Sequence, residues 1–124
     1  MQMQRRALVV EDDAATRKLL RSLLEERGCH VDEAVDGQQA INLLAQHDDY
    51  AVVLLDIVLP RISGTAVMDY LTQHKPAMLS RIIVVTGLNV AEIRKLFPAV
   101  CSALGKPVIP ARLLQSVDDC LSRT

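Results

Sequence analysis

Short apolar runs alternate with longer amphipathic stretches along this chain, and the alternation repeats five times without internal sequence similarity. A continuous apolar run such as Ala51–Leu55 is typical of a strand that is buried on both faces of a parallel sheet. In the amphipathic stretches, apolar residues recur three or four positions apart, as they do on one face of a helix. The pattern therefore predicts five successive pairs of a β-strand and an α-helix.

The same pattern assigns each element to a range. Gly28 is expected to close the first helix, and Pro110 to begin the last one, where its missing N–H costs nothing. Polar residues interrupt the second strand, which favours a place for it at the edge of the sheet. The predicted strands are Ala7–Val10, Cys29–Ala34, Ala51–Leu55, Arg81–Thr86 and Ser102–Leu104. The predicted helices are Thr16–Arg27, Gly37–Gln46, a segment marked by Ala66–Leu71, Ala91–Leu96 and a segment from Pro110 onward.

Parallel strands joined by right-handed helical crossovers form a doubly wound α/β sandwich of three layers. Five units fit a flavodoxin-like (βα)5 fold, with a five-stranded parallel sheet in the order 2-1-3-4-5. The chain has 124 residues, the length of one ordinary domain, and no linker divides it, so residues 1–124 are expected to form a single domain. Ligands bind such sheets outside the carboxyl ends of the strands.

Composition narrows the classes of function. The mean hydropathy is only +0.20, no apolar run approaches the roughly 18 residues that cross a bilayer, and the N-terminus lacks the apolar stretch of a signal peptide. We therefore expect a cytoplasmic protein that does not insert into a membrane. The net charge is -1, and the mild basic excess after residue 64 is too weak to suggest direct binding of nucleic acid.

The cysteines and histidines show no ligand pattern. The cysteines are odd in number, widely spaced and without a CxxC or Cys/His motif, so we expect reduced and mostly buried thiols. The histidines share no spacing and are expected at the surface, rather than as metal ligands or phosphohistidines. The residues are Cys29, Cys101, Cys120, His30, His47 and His74.

The predicted carboxyl ends of the strands carry most of the chemically useful side chains. Glu11 and Asp12 follow the first strand, Asp56 follows the third, Thr86 ends the fourth and Lys106 follows the fifth. Because the strands are parallel, these residues are expected to converge on one edge of the sheet. Three carboxylates at close range repel one another, and a divalent cation that prefers oxygen ligands, Mg²⁺ or Mn²⁺, relieves that repulsion.

Asp56 is the candidate nucleophile of this edge. A carboxylate can attack phosphorus and form an acyl phosphate when positive groups neutralise the transferring oxygens. Lys106 supplies a cation, Thr86 supplies a hydroxyl donor, and Gly87 leaves room beside Thr86. Phosphoryl transfer needs positioning and charge neutralisation more than covalent help, so this set is sufficient. Asp13, the next acid along the chain, is better explained as the N-cap of the first helix than as a metal ligand.

The motifs at these strand ends resemble those of response-regulator receiver domains of two-component signal transduction, of the chemotaxis-regulator type. They are VVEDD at residues 9–13, LLDIVLPRISG at 54–64, VVTG at 84–87 and GKP at 105–107. The resemblance implies a phosphoacceptor signalling domain of a two-component system or phosphorelay. Magnesium-dependent transfer would bring a phosphoryl group from a phosphohistidine donor to the domain and modulate a downstream partner. Such a domain is not an enzyme beyond catalysing its own phosphorylation and dephosphorylation.

Residue roles are implied by the same resemblance. Asp56 corresponds to the phosphoacceptor, with Thr86 as the switch hydroxyl and Lys106 as the lysine of the site. The Lys106–Pro107 peptide bond is expected to be cis, as it usually is in the family. The implied metal ligands are Glu11, Asp12, Asp56 and the backbone carbonyl of Val58.

The partners implied are a histidine kinase or a histidine phosphotransfer domain upstream, and an unknown target or output domain downstream. The slightly basic surface of the fourth helix, fifth strand and fifth helix is the expected contact face, with Arg94, Lys95 and Arg112. A homodimer through that face is a further candidate. The sequence leaves open whether the receiver acts alone or is the N-terminal receiver of a longer regulator or hybrid kinase.

Three positions depart from the family pattern. Receivers commonly carry Tyr or Phe three residues before the lysine, and Ala103 stands there, so the usual coupling of the threonine to an aromatic rotamer is not expected. Val58 and Leu88, two residues beyond the acceptor and the threonine, are apolar and cannot orient an attacking water. We therefore expect slow hydrolysis of the aspartyl phosphate.

Two other functions use related chemistry or folds. A haloacid-dehalogenase-like phosphatase also uses a nucleophilic Asp and magnesium, but it needs a second Asp two residues later, where Val58 stands. A flavodoxin-like flavin site needs a loop rich in hydroxyls and glycines after the first strand. Residues 11–13 are acidic instead and would repel a phosphate unless a metal intervened.

Overall fold

The computed structural model describes residues 4 to 123, in which five strands alternate with five α-helices and one short 3-10 helix. The strands are β1 Arg5–Val10, β2 Cys29–Ala34, β3 Tyr50–Leu55, β4 Ile82–Thr86 and β5 Ser102–Gly105. The α-helices are α1 Ala14–Glu26, α2 Gly37–Gln46, α3 Gly64–His74, α4 Val90–Leu96 and α5 Pro110–Ser122. The 3-10 helix spans Pro76–Arg81 and leads into β4.

All strand pairs are parallel, and their order across the sheet is β2-β1-β3-β4-β5. This order and the helices on both faces confirm the predicted flavodoxin-like sandwich. The polar strand β2 lies at an edge, as predicted, and β1 and β3 are neighbours at the centre. The switch in strand order therefore falls between β1 and β3, at the ends of which Glu11 and Asp56 stand.

Two apolar clusters, one on each face of the sheet, form the core. Helices α1 and α5 cover one face, and α2, α3 and α4 cover the other. Successive residues of a strand contribute to opposite clusters, as with Leu8 and Val9 of β1 or Leu54 and Leu55 of β3, because strand side chains alternate between faces. Each of these leucines is fully buried, which stabilises the fold by about 2 kcal/mol per side chain.

Local signals in the sequence agree with the ends of several elements. Asp13 is the N-cap of α1, and its carboxylate accepts a hydrogen bond from the backbone N–H of Thr16, which confirms its predicted role. Gly28 has a φ of 76° and follows α1, where a left-handed residue commonly ends a helix. The Lys106–Pro107 bond is cis, as predicted.

The 3-10 helix before β4 was not predicted. Pro76 begins it, and it buries Met78 and Leu79 against the cluster that underlies α2, α3 and α4. The apolar residues of this segment, Ala77, Met78 and Leu79, are consecutive and therefore give no helical period in the sequence. Within residues 4–123, no helix combines the length and apolar character needed to cross a bilayer.

The expectation of three reduced cysteines is wrong for two of them. Cys101 precedes β5, Cys120 lies in the last turn of α5, and the two form a disulfide with their Cα atoms 6.1 Å apart. Helix α5 runs back along the sheet and returns its end to the beginning of β5, a proximity that a separation of 19 residues does not reveal. Cys29 is free and buried, as predicted.

Candidate functional site

The carboxyl edge of the sheet brings together side chains from three strands. Carboxylate oxygens of Glu11, Asp12 and Asp56 all lie within 4.8 Å of one another. The ammonium nitrogen of Lys106 lies 2.8 Å from Oδ2 of Asp56 and 2.6 Å from Oε1 of Glu11. One cation thus bridges two carboxylates that are almost fully buried.

Backbone hydrogen bonds between strands fix the residues of this edge. In each of three cases, the N–H of a site residue donates to a carbonyl of the neighbouring strand, so the sheet continues into the site. The bonds are Glu11 to Ala34 at 3.0 Å, Asp56 to Val10 at 3.0 Å and Lys106 to Thr86 at 2.8 Å.

Asp56 is held at both carboxylate oxygens. Oδ1 accepts a hydrogen bond from the backbone N–H of Val58 at 3.1 Å, and Oδ2 accepts one from Lys106. A Cβ atom on Gly64 would lie 2.5 Å from the backbone oxygen of Asp56, so a glycine is needed where the start of α3 approaches the end of β3. The carboxylate therefore has a defined orientation.

Burial and the neighbouring charges shift the pKa values of Glu11 and Lys106 in opposite directions. Burial raises the pKa of Glu11 and outweighs the lowering effect of Lys106. Burial alone would lower the pKa of Lys106, but hydrogen bonds and charges from Asp56 and Glu11 outweigh it, and the pKa is raised. Lys106 consequently keeps its positive charge at neutral pH.

The acidic cluster fits a divalent cation. Oε2 of Glu11 accepts a hydrogen bond from the backbone of Asp13. Oε1 is buried and, apart from its ion pair with Lys106, receives no well-aligned hydrogen bond from the described residues. Such an oxygen, together with Asp56 and the exposed Asp12, matches the oxygen ligands of Mg²⁺ or Mn²⁺, which keep several waters in such sites. The ligand role of the Val58 carbonyl stays a prediction.

Thr86 and Gly87 border the same edge from β4. Thr86 is fully buried, and its hydroxyl oxygen accepts a hydrogen bond from the backbone N–H of Leu88 at 3.1 Å. That bond leaves the hydroxyl hydrogen free to be donated elsewhere. A Cβ atom on Gly87 would meet no atom within 4 Å, so open space adjoins Thr86.

The sequence interpretation missed Arg17. The apolar periodicity assigns it to the polar face of the first helix, but its guanidinium donates to the backbone carbonyls of Glu11 at 3.0 Å and Asp12 at 3.3 Å. These contacts fix the acidic loop from the side of α1. The sequence signal for this contact is an arginine one turn into a helix that follows an acidic loop. That signal is weak by itself.

The loop that follows Asp56 packs on the start of α2, a contact that the sequence also did not reveal. A Cβ atom on Gly37 would lie 2.0 Å from the backbone oxygen of Ile62. In the same loop Arg61 has a φ of 63°, and its guanidinium lies 3.8 Å from the buried carboxylate of Asp36. Contacts with the start of α2, which lies outside the acidic edge, therefore hold this loop in place.

Ala103 is buried where receivers commonly have an aromatic residue. Its side chain belongs to the cluster that includes Ile93 of α4, and its carbonyl accepts a hydrogen bond from Arg94 at 3.2 Å. Helix α4 therefore contacts β5 directly, without an aromatic ring between them.

Comparison with known proteins agrees with this architecture. The family profile of the response regulator receiver domain matches residues 7–118. The transcriptional regulatory protein SrrA of Staphylococcus aureus is 30% identical over 122 residues, which are 98% of this chain and 50% of SrrA. The chain thus spans about half the length of the curated relatives it matches.

Solved structures share the fold. A two-component response regulator of the LuxR family from Aurantimonas sp. SI85-9A1 is 28% identical with a TM-score of 0.82, covering 98% of this chain and 87% of that one. The receiver domain of sensor histidine kinase PA1611 from Pseudomonas aeruginosa PAO1, with magnesium coordinated in its active site cleft, is 23% identical with a TM-score of 0.82, covering 97% and 99%. Since the family profile matches nearly the whole chain, this protein belongs to the response regulator receiver domains of two-component signalling.

Proposed function

We propose that Asp56 accepts a phosphoryl group from the phosphohistidine of a histidine kinase or a histidine phosphotransfer domain. The observation that carries the proposal is the position of Lys106, whose ammonium bridges Asp56 and Glu11 at the carboxyl edge of the sheet. An acid that ends the most apolar strand and is paired with a lysine there is poorly explained by packing alone.

In the proposed reaction an oxygen of Asp56 attacks phosphorus, and the bond between phosphorus and the donor imidazole nitrogen breaks. The contacts from Val58 and Lys106 orient the carboxylate, which lowers the entropic part of the barrier. Lys106 and the Thr86 hydroxyl compensate the charge of the phosphoryl oxygens. A bound Mg²⁺ would be held by Glu11, Asp12, Asp56 and the Val58 carbonyl, and it supplies further neutralisation of that charge.

The chain is a signalling domain rather than a conventional enzyme, and we propose that its catalysis is limited to its own phosphorylation and dephosphorylation. We further propose that this chain forms one receiver, which acts alone or as part of a longer regulator, and that it works in the cytoplasm. The partner or output domain would contact α4, β5 and α5, where Arg94, Lys95 and Arg112 are exposed. A homodimer would use the same face.

Intact mass after incubation with Mg²⁺ and acetyl phosphate tests the phosphoacceptor. We expect the wild type to gain one phosphoryl group and Asp56→Asn to gain none. Asp13→Asn is the matched control, since it removes a neighbouring acid but keeps an N-cap residue, and it should be phosphorylated like the wild type. Equal gain in Asp56→Asn, or no gain in the wild type with Mg²⁺ present, would refute the assignment.

A further inference from the structure

A second chemically competent site lies at the end of β5 opposite Lys106. Cys101 directly precedes β5, Cys120 lies in the last turn of α5, and their sulfurs are bonded. We propose that this pair is a reversible thiol–disulfide site, in which Cys101 is the thiol that reacts with a hydroperoxide and Cys120 is the thiol that resolves the product. The proposal is independent of phosphorylation at Asp56.

The surroundings of the two sulfurs assign them different roles. Cys101 is half-buried and lines a cleft of about 320 Å³ between α4 and β5, so a small oxidant can reach it. Cys120 is only 1% exposed and lies behind Cys101 in the core beneath α5. A reactive cysteine needs access to solvent, whereas a resolving cysteine needs only proximity to its partner.

Positive charge surrounds Cys101. The guanidinium of Arg123 lies 3.9 Å from its sulfur, and Arg94 lines the same cleft. A nearby cation favours the thiolate, which is the nucleophilic form of cysteine. Cys29 is the internal contrast, because it is free and buried, and burial raises the pKa of its thiol.

The proposed chemistry is balanced with hydrogen peroxide as oxidant. The Cys101 thiolate attacks one peroxide oxygen, so an S–O bond forms, the O–O bond breaks, and the departing hydroxide takes up a proton. The Cys120 thiol then attacks the Cys101 sulfur, so the S–S bond forms and the sulfenic oxygen leaves as water. Two thiols lose two electrons and two protons, and one peroxide becomes two waters. A reducing dithiol reverses the change and becomes a disulfide itself.

Oxidation of the two cysteines would change the face formed by α4, β5 and α5 rather than the acidic edge. The disulfide ties the residue before β5 to the end of α5, and the four residues of β5, at roughly 3.3 Å each, separate it from Lys106. The bond closes a loop that contains β5 and α5, which restricts their separation in the folded and unfolded chain alike. We therefore expect the redox state to alter the α4, β5 and α5 face and to leave phosphoryl acceptance unchanged.

Thiol counting tests the site. The wild type is reduced with dithiothreitol, freed of it, treated with hydrogen peroxide, alkylated in denaturant and weighed. We expect three alkylated thiols before the peroxide and one afterwards, with a Cys101–Cys120 peptide found by mapping. Cys29→Ser should form the same disulfide and retain no free thiol. Three thiols after oxidation, or a disulfide that includes Cys29, would overturn the proposal.

Labelling with dimedone, which traps sulfenic acids, tests the different roles of Cys101 and Cys120 during treatment with hydrogen peroxide. In Cys120→Ser it should label Cys101 at least about tenfold faster than Cys29, because only the accessible thiol beside a cation reacts readily. In Cys101→Ser it should label Cys120 no faster than Cys29. Equal labelling of Cys101 and Cys120 in the two variants would reject the assignment of roles.

Phosphorylation by acetyl phosphate tests whether the two sites are independent. The reduced and the oxidised wild type should gain the phosphoryl group to the same extent. An oxidised protein that no longer gains it would contradict the independence of the two sites.

Discussion

The ammonium group of Lys106 compensates two carboxylates that the fold buries. Without it, Glu11 and Asp56 would face each other across a desolvated edge, and such an arrangement is costly. In the proposed reaction the same ammonium would move toward the phosphoryl oxygens as Asp56 reacts, and Glu11 would then depend on a bound metal for compensation of its charge. A side chain with a long flexible stem and a compact charge suits both positions.

Two exposed apolar side chains beside the acceptor lead to a prediction about the lifetime of the phosphoryl group. Val58 is 59% exposed and Leu88 is 46% exposed, so neither is needed for packing. We expect the double variant Val58→Asn, Leu88→Gln to lose its phosphoryl group roughly tenfold to hundredfold faster, because polar groups can orient an attacking water. The decay of the phosphorylated mass after removal of acetyl phosphate measures this.

The matched control for that experiment is Leu96→Gln. Leu96 is 67% exposed but stands at the far end of α4, so its replacement should leave the decay unchanged. Equal lifetimes in the wild type and the double variant would mean that the apolar pair does not limit hydrolysis.

Asp32 gives a pH-dependent prediction away from the acidic edge. Its Oδ2 accepts hydrogen bonds from the buried Tyr50 hydroxyl at 2.7 Å and from Arg6 at 2.9 Å. Burial would raise the pKa of Asp32, but these hydrogen bonds outweigh it, and the pKa is lowered. At pH 7 we expect Asp32→Asn to reduce the free energy of unfolding by about 2 kcal/mol, the usual contribution of a hydrogen-bonded charge.

The sign of the pH effect follows from the lowered pKa. A carboxylate whose pKa is lowered by folding stabilises the protein above its unfolded pKa of about 3.9, and this contribution is lost as the pH falls through the folded pKa. Urea unfolding of both proteins should therefore show a difference that is present at pH 5 and shrinks as the pH falls below 4. Asp49→Asn is the control, since Asp49 is 68% exposed and pairs with the same Arg6 at 3.4 Å. A difference that grows as the pH falls from 5 to 3 would contradict the account.

The loop after Asp56 depends on α2 for its position. A Cβ atom on Gly37 would lie 2.0 Å from the backbone oxygen of Ile62, so Gly37→Ala must displace the loop that carries Val58. We expect a loss of about 1–3 kcal/mol in the free energy of unfolding, as for other overpacked sites. We also expect weaker Mg²⁺ binding, measured by calorimetry.

Gly28→Ala separates loss of stability from displacement of the loop. Gly28 has a φ of 76°, and a Cβ atom there would meet no atom within 4 Å. Alanine is therefore strained at this position, by about 1 kcal/mol, without touching the loop. The Mg²⁺ affinity of this variant should equal that of the wild type. If Gly37→Ala also keeps the wild-type affinity while folded, the loop is not positioned by α2.

Some features of the strands and helices could be predicted from the sequence, and others could not. Strand ends and the cap at Asp13 depend on short-range periodicity and local hydrogen bonding, so their positions could be predicted to within one or two residues. The proximity of Gly37 to Ile62 and the disulfide between Cys101 and Cys120 depend on how distant elements pack. Neither has a local signature, and residue spacing therefore could not predict them.

The geometry of the acidic edge leads us to expect that metal binding and folding are linked. Carboxylates of Glu11, Asp12 and Asp56 come within 4.8 Å of one another only in the folded chain, so we expect Mg²⁺ to bind the native state preferentially. At a Mg²⁺ concentration one hundred times Kd, the gain in free energy of unfolding is about 2.7 kcal/mol. Thermal unfolding with Mg²⁺ should occur at a higher temperature, and a chelator should reverse the shift.

Asp12→Asn tests the origin of that shift. Asp12 is exposed, so its loss should change the stability of the metal-free protein little while removing most of the effect of Mg²⁺. A shift of equal size in the variant would assign the stabilisation to another site.

The hydrogen bond from the backbone N–H of Asp56 to the carbonyl of Val10 lies between the two central strands, β3 and β1, and limits how the backbone at Asp56 can fluctuate. Amide protons held in the central ladder of a sheet exchange with solvent mainly through global opening, whereas those of loops exchange through local opening. We therefore expect the backbone at Asp56 to open only when the sheet itself opens. If Asp56 is phosphorylated, side chains and adjoining loops would rearrange while the backbone beneath Asp56 stays in place.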